Sequence, residues 1–182
     1  MTTALLLVDI QNDYFPGGPM ALAGMTAAAA KAASLLATFR HKSPPIFHVR
    51  HLSLGDDAGF FVPGTAGSEI NAAVTPEAGE SVTEKNEPNS FVGTDLEAKL
   101  RDDGITDLVI VGAMSHMCID ATTRAAKDMG FACTVVRNAC ATLDMNFEGT
   151  VVPAAQVHAA FMGALGQAYA TVVTASDAAG NL

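Results

Sequence analysis

The sequence has no surplus of positive charge, no paired cysteine framework and no apolar run long enough to cross a membrane. Each absence removes a class of function. The chain carries 10 Lys and Arg against 19 Asp and Glu, a formal net charge of −9 with a pI near 4.8. Its field therefore repels a phosphate backbone, and nucleic acid is discounted as a partner. Its 3 cysteines, Cys118, Cys133 and Cys140, show neither C-x-x-C zinc spacing nor a disulfide pattern. Cys133 and Cys140 read as small buried apolar residues, and a reducing, cytoplasmic compartment suits all of them. No apolar stretch approaches the roughly 20 residues of a membrane helix, so no membrane partner is expected. The first segment, Met1–Ile10, lacks the basic start of a secretory leader and is interrupted by Asp9.

What is present is an ordinary globular composition on the apolar side. Hydrophobic residues make up 49% and charged residues 16% of the 182 positions, which argues against disorder. That length suits one domain, 1–182, with a substantial core. The apolar surplus also suggests surface buried between subunits. There is no internal repeat.

Strand-like and helix-like segments alternate along the chain. Ala4–Ile10 is apolar on both faces until Asp9 and reads as a fully buried strand. Gly24–Arg40 reads as an alanine-rich helix stopped by Pro44 and Pro45, and Ile46–Arg50 as the second strand. The glycine-rich stretch Leu54–Thr75 reads as a loop, and loops of that length inside a compact domain are usually functional. Ser81–Lys85 is the third strand, Thr94–Arg101 a helix capped by Thr94 and closed at Gly104, and Asp107–Gly112 the fourth strand. Cys118–Met129 reads as a helix, Ala132–Val136 as strand five, Val151–Gln167 as a helix and Tyr169–Val173 as strand six. This alternation predicts an α/β fold of three layers, α/β/α, around a six-stranded, mainly parallel sheet in the Rossmann-like order 3-2-1-4-5-6.

In such sheets ligands bind beyond the carboxyl ends of the strands. Strand one ends at Asp9, strand three at Lys85, and strand four leads through a tight turn into Cys118 at the start of a helix. Taken singly, Asp9 reads as a turn cap, Lys85 as a solvated lysine and Cys118 as a small buried residue. Their coincidence at three strand ends on one edge selects another reading: an acid, a base and a nucleophile in one site. The helix N-terminus at Cys118 is expected to favour thiolate over thiol.

Other candidates fall to the same test. His48 and His51 lie three apart on a strand and so point to opposite faces, which argues against a zinc pair. His116 reads as a pocket wall, His158 sits in mid-helix without a sequence partner, and Gly17-Gly18 lacks phosphate-loop spacing. Gln11, Phe15, Phe60, Phe61 and Met117 are the candidate substrate contacts, from the turn after strand one, the Gly55–Gly67 loop and the nucleophile turn.

Three blocks now carry a resemblance: Leu7–Phe15 with Pro16-Gly17-Gly18; Glu84-Lys85 followed by Asn89–Leu96; and Gly112–Ile119 with Thr122, Thr123 and Arg124. In order and spacing the chain resembles the isochorismatase-like cysteine hydrolases, the family that includes nicotinamidases and carbamoylsarcosine amidase. The resemblance implies Asp9, Lys85 and Cys118 as the catalytic residues. It implies a non-proline cis peptide between Ala113 and Met114, with the amides of Met114 and Cys118 forming an oxyanion hole. It also implies a homodimer or homotetramer and a small-molecule substrate. The metal-binding pattern of nicotinamidases after strand two is replaced here by His48-Val49-Arg50-His51-Leu52, so no metal and no other cofactor is expected. The activity implied is hydrolysis of an amide or carbamoyl C–N bond through a thioester on Cys118, with Asp9 as general base and acid and Lys85 as electrostatic partner. An isochorismatase-type ether hydrolase, which needs no thiol, is the rival enzyme; a non-catalytic ligand-binding member is the rival outside enzymology.

Overall fold

A computed structural model describes residues 2–55 and 57–180. The strands of the main sheet are β1 (Thr3–Val8), β2 (Ile46–His51), β3 (Ser81–Lys85), β4 (Asp107–Ala113), β5 (Ala132–Ala141) and, after a small hairpin of β6 (Met145–Phe147) and β7 (Thr150–Val152), β8 (Thr171–Val173). The helices are α1 (Met25–Lys42), α2 (Leu96–Asp102), α3 (Cys118–Asp128), α4 (Ala154–Ala168) and α5 (Ala175–Gly180). The sheet has 6 strands in the order β3-β2-β1-β4-β5-β8, and every pair in it is parallel. This is the doubly wound order that the sequence predicts, the sixth place being filled by β8.

Both faces are covered, which is why β1 and β4 are apolar at successive positions rather than alternating with polar residues. Leu5 and Leu7 of β1 pack with Met25, Ala29, Leu36 and Phe39 of α1 and with Ala175 and Ala178 of α5. Ala4, Leu6 and Val8 point the other way, onto Leu96 and Leu100 of α2, Ile119 of α3, and Met162 and Leu165 of α4. The alanines of α1 face the sheet at Ala28, Ala29 and Ala32, so small side chains let that helix lie close. Among the described residues no helix is long and apolar enough to cross a membrane.

Two predicted boundaries are corrected. The helix expected over Val151–Gln167 starts only at Ala154, because Thr150–Val152 pairs with Met145–Phe147 across a turn at Glu148 and Gly149, both with positive φ (50° and 80°). Pro153, at the N-cap, has no N–H for a ladder and suits a helix start instead. Strand five runs five residues further than expected, to Ala141, and its pairing with β4 shifts register between Ile110 and Gly112. The extra residues of β5 are absorbed at this irregularity, and pairing resumes beyond it to the last residues of both strands, Ala113 with Ala141. Thr94 lies one residue before the N-cap, Asp95, whose own side chain makes no capping bond; the Thr94 hydroxyl donates to Ser90 O at 2.6 Å and accepts from Leu96 N, the first helical amide, at 3.4 Å.

Gly112 fixes the distance between β4 and β1. Its φ is +128°, and a Cβ placed on it would stand 1.9 Å from the carbonyl oxygen of Val8, which is backbone and has nowhere to go. Asp9 follows Val8 directly, so the close approach that brings Asp9 beside the nucleophile turn requires glycine here. Gly112→Ala is expected to lower stability by about 2–4 kcal/mol through overpacking and backbone strain, read as a lower urea midpoint at unchanged m-value.

Candidate active site

The carboxyl ends of β1, β2, β3 and β4 converge on one buried nitrogen. Lys85 is the last residue of β3, in register with His51, the last residue of β2. Asp9 follows β1 in a left-handed conformation (φ 53°), and its amide donates to Val49 O of β2 at 3.0 Å. Asp enters that region more readily than most non-glycine residues. Cys118 is the first residue of α3, reached from β4 through a cis peptide between Ala113 and Met114.

Lys85 Nζ lies 2.8 Å from Asp9 Oδ2, 3.0 Å from His51 Nδ1, 3.0 Å from Glu87 O and 3.3 Å from Cys118 Sγ. Asp9, Lys85 and Cys118 are 0%, 1% and 5% exposed. Asp9 Oδ1 is buried with no hydrogen-bond partner among the described residues. Asp9, His51 and Cys118 offer atoms within 4.8 Å of one another, spacing that could hold a cation. The Lys85 ammonium already bonds to all three residues and is the cation of that cluster.

Burial alone would lower the pKa of Lys85, but Asp9 and Cys118 more than offset it, so the group is raised and stays an ammonium. Burial pushes the Cys118 thiol up to about 12, with the Asp9 carboxylate adding to the rise and Lys85 opposing it. This runs against the expectation of a thiolate favoured by the helix N-terminus, because loss of water and the neighbouring carboxylate both favour the thiol. Both effects hold the sulfur toward its protonated form.

The nucleophile turn is tied down by its own hydrogen bonds: Ser115 N to Ala141 O at 2.9 Å, Met117 N to Met114 O at 3.0 Å and Ile119 N to Met114 O at 3.2 Å. The amides of Met114 and Cys118 have no acceptor among the described residues. Ser115 Oγ lies 2.8 Å from His158 Nδ1, which gives that mid-helix histidine the partner its sequence context does not reveal. His116, expected as a pocket wall, turns its Nδ1 to Thr142 Oγ1 at 2.6 Å and its ring edge to Phe161. A cavity of about 370 Å³ adjoins these residues, lined by Arg137, Cys140, Thr142 and His158 but not by Cys118.

The candidate substrate contacts separate into two groups. Met117 is exposed beside Cys118, and Phe15 and Phe60 are half-buried. Gln11 and Phe61 are interior. Gln11 Nε2 donates to His51 O and to Ser68 O, each at 2.8 Å, and Gln11 Oε1 accepts from His51 N at 2.8 Å. With its amide committed to backbone, Gln11 holds β2 and the long loop in place. Phe61 packs its ring 4.6 Å from that of Tyr14 and 5.9 Å from that of His51.

Two site residues escape sequence reasoning. Asp13 anchors the loop: its Oδ2 accepts from Phe61 N at 2.6 Å, and a Cβ on Gly67 would fall 1.9 Å from Oδ1, so the loop lies flat against the carboxylate. Nothing local distinguishes Asp13 from an ordinary turn residue. His51 is the other. It does face away from His48, which bonds to Glu80 at 2.9 Å. Pairing of strands two and three sets His51 beside Lys85, a register that neither strand's own sequence reveals.

The protonation balance yields a measurable order. Removing the carboxylate (Asp9→Asn) is expected to lower the Cys118 thiol pKa and speed its alkylation by iodoacetamide severalfold at mildly alkaline pH. Lys85→Met is expected to raise it and slow alkylation. In the unaltered protein the rate should keep climbing beyond pH 10, since burial and Asp9 push the thiol up to about 12. Peptide mapping by mass spectrometry reads each adduct.

Residues 3–177 match the Isochorismatase domain. An isochorismatase family protein of Bacillus subtilis, of uncharacterised activity, is 53% identical over 174 residues, covering 96% of this chain and 97% of the other. Maleamate amidohydrolase of Pseudomonas putida is 31% identical over 151 residues, covering 74% of this chain and 70% of the enzyme. A crystal structure from Oleispira antarctica, described as an isochorismatase hydrolase, is 54% identical and superposes with a TM-score of 0.95 over 98% of this chain and 96% of that one. With a buried acid, ammonium and thiol at its strand ends, the chain belongs to the isochorismatase family of hydrolases.

Proposed function

We propose that the protein hydrolyses an amide or carbamoyl C–N bond of a small molecule through a thioester on Cys118. The observation that carries this reading is the placement of one ammonium, Lys85 Nζ, 2.8 Å from the Asp9 carboxylate and 3.3 Å from the Cys118 sulfur. A carboxylate beside a protonated thiol is a general base beside a nucleophile. The amidohydrolase among its relatives supports the same chemistry.

As the sulfur attacks the substrate carbonyl carbon, its proton passes to Asp9, so the buried site never holds a free thiolate together with a free carboxylate. Lys85 stays protonated and offsets the negative charge wherever it resides. The carbonyl oxygen becomes an oxyanion facing the Met114 and Cys118 amides, a contribution of about 3–4 kcal/mol per donor in comparable sites. Asp9 then gives its proton to the leaving nitrogen, which departs as ammonia or an amine, and the thioester remains. Water attacks the thioester, Asp9 takes one of its protons, and the returning sulfur recovers that proton as the acid leaves. Met117, Phe15 and Phe60 form the wall against which the remainder of the substrate lies.

Screening small primary amides and carbamoyl compounds for ammonia release, with Cys118→Ala as the blank, tests this reading. Turnover should fall to background in Cys118→Ala, and rapid-quench intact mass should show an acyl adduct mapping to Cys118. A Cys118→Ala protein that retains activity while Asp9→Asn loses it would establish the thiol-free ether hydrolase instead. Absence of any turnover or adduct across the panel would remove the amide reading.

A further inference from the structure

His51 has no role in the steps above, yet it touches the residue on which they turn. An ammonium has three hydrogens and no lone pair. Lys85 Nζ has four acceptors around it: Asp9 Oδ2 at 2.8 Å, His51 Nδ1 at 3.0 Å, Glu87 O at 3.0 Å and Cys118 Sγ at 3.3 Å. His51 Nδ1 must therefore be an acceptor, which places the ring proton on Nε2 and makes the ring neutral. Oxygen and nitrogen atoms hold the three shorter contacts, and the sulfur has the longest.

The imidazole is itself held firmly. Gln11 grips the backbone of His51 at both its N–H and its carbonyl, each at 2.8 Å, and Phe61 lies against the ring at 5.9 Å. The charged and titratable groups around it are Lys85 from β3, Glu87 just beyond β3, Asp9 after β1, Cys118 at the start of α3, and Tyr14 behind Phe61. We propose that His51 is the positioning residue of the active site: its neutral ring takes one Lys85 hydrogen, which fixes the ammonium between Asp9 and Cys118, and a proton on Nδ1 would release it.

Burial and the Lys85 charge lower the pKa of His51 from its ordinary 6.5, against the opposing pull of Asp9 and Glu87. The neutral, accepting form is thus the one present at and above neutrality. On acidification Nδ1 gains a proton, the acceptor becomes a donor, and two cations face each other at hydrogen-bond distance. Contact with Lys85 is then lost.

Long-range proton–nitrogen spectra of protein labelled at its histidines, with the His51 signals assigned by their loss in His51→Asn, test the geometry without any substrate. Near neutrality Nδ1 should be bare and Nε2 protonated, and the titration midpoint should lie below 6.5 and rise in Lys85→Met. A proton on Nδ1 near neutrality, or a midpoint indifferent to Lys85→Met, overturns the proposal. The catalytic consequence rests on the amide reading. With an amide from the screen, His51→Phe should lose about 10–100-fold in kcat with little change in KM. His51→Asn, whose Oδ1 accepts but does not titrate, should restore most of that loss and abolish the acid limb of the pH profile. A His51→Phe protein with undiminished kcat, or a His51→Asn protein with the original acid limb, also overturns the proposal. If no amide is turned over while the ring behaves as described, the substrate class is wrong and the assignment of His51 stands.

Discussion

The Lys85 ammonium is the interaction on which the rest of the site depends. A charge enclosed in protein is costly unless paired and fully hydrogen-bonded, and removing one partner of such a pair typically costs about 3–5 kcal/mol. Lys85 meets that requirement where Asp9, His51 and the Glu87 carbonyl arrive together, with the Cys118 sulfur a little farther off. Each comes from a different stretch of chain. The ion pair thus specifies a meeting point for the ends of β1, β2 and β3 and the turn after β4, in addition to its chemical use.

The surrounding elements serve that meeting point. Gly112 lets β4 approach the end of β1 to backbone contact. Gln11 joins the turn after β1 to the last residue of β2, and its second bond, to Ser68 O, reaches the long loop. Asp13 holds the same loop at Phe61 and beneath Gly67. The described residues of the stretch between β2 and β3 form no regular strand or α-helix over more than twenty positions, which is uncommon in a compact domain. Here it is fastened by side-chain bonds from Gln11 and Asp13 to the segment that also carries the Asp9 carboxylate, so site and loop share one scaffold.

The fold was largely legible in the sequence because the central strands β1 and β4 are near-continuous apolar runs and glycine or proline marks many of the breaks between elements, and those signals are local. The strand ends Asp9, Lys85 and Cys118 were legible for the same reason. The hairpin of β6 and β7 was not, since Thr150–Val152 is short and merges by composition with the helix after Pro153. Burial decides the two larger misreadings. The Cys118 sulfur is held toward its protonated form by how deeply it and Asp9 are enclosed, which helix-end reasoning does not contain. Gln11 resembles a ligand-binding amide in the sequence, and only the paths of β2 and the loop reveal that backbone claims both its ends. His51 depends on pairing between strands more than thirty residues apart, to which one strand's alternation is blind.

The acceptors around residue 85 converge on a single atom from several directions, and this bears on which head group can stand there. A tetrahedral amine sends its donors outward from one point. A guanidinium spreads its donors around a flat fork some ångströms across. Arginine would preserve the charge yet present it to a carboxylate, an imidazole, a carbonyl and a sulfur in the wrong shape. Conservation of charge at this position is therefore not conservation of the site, and a single sp³ nitrogen is what the four converging chain segments require.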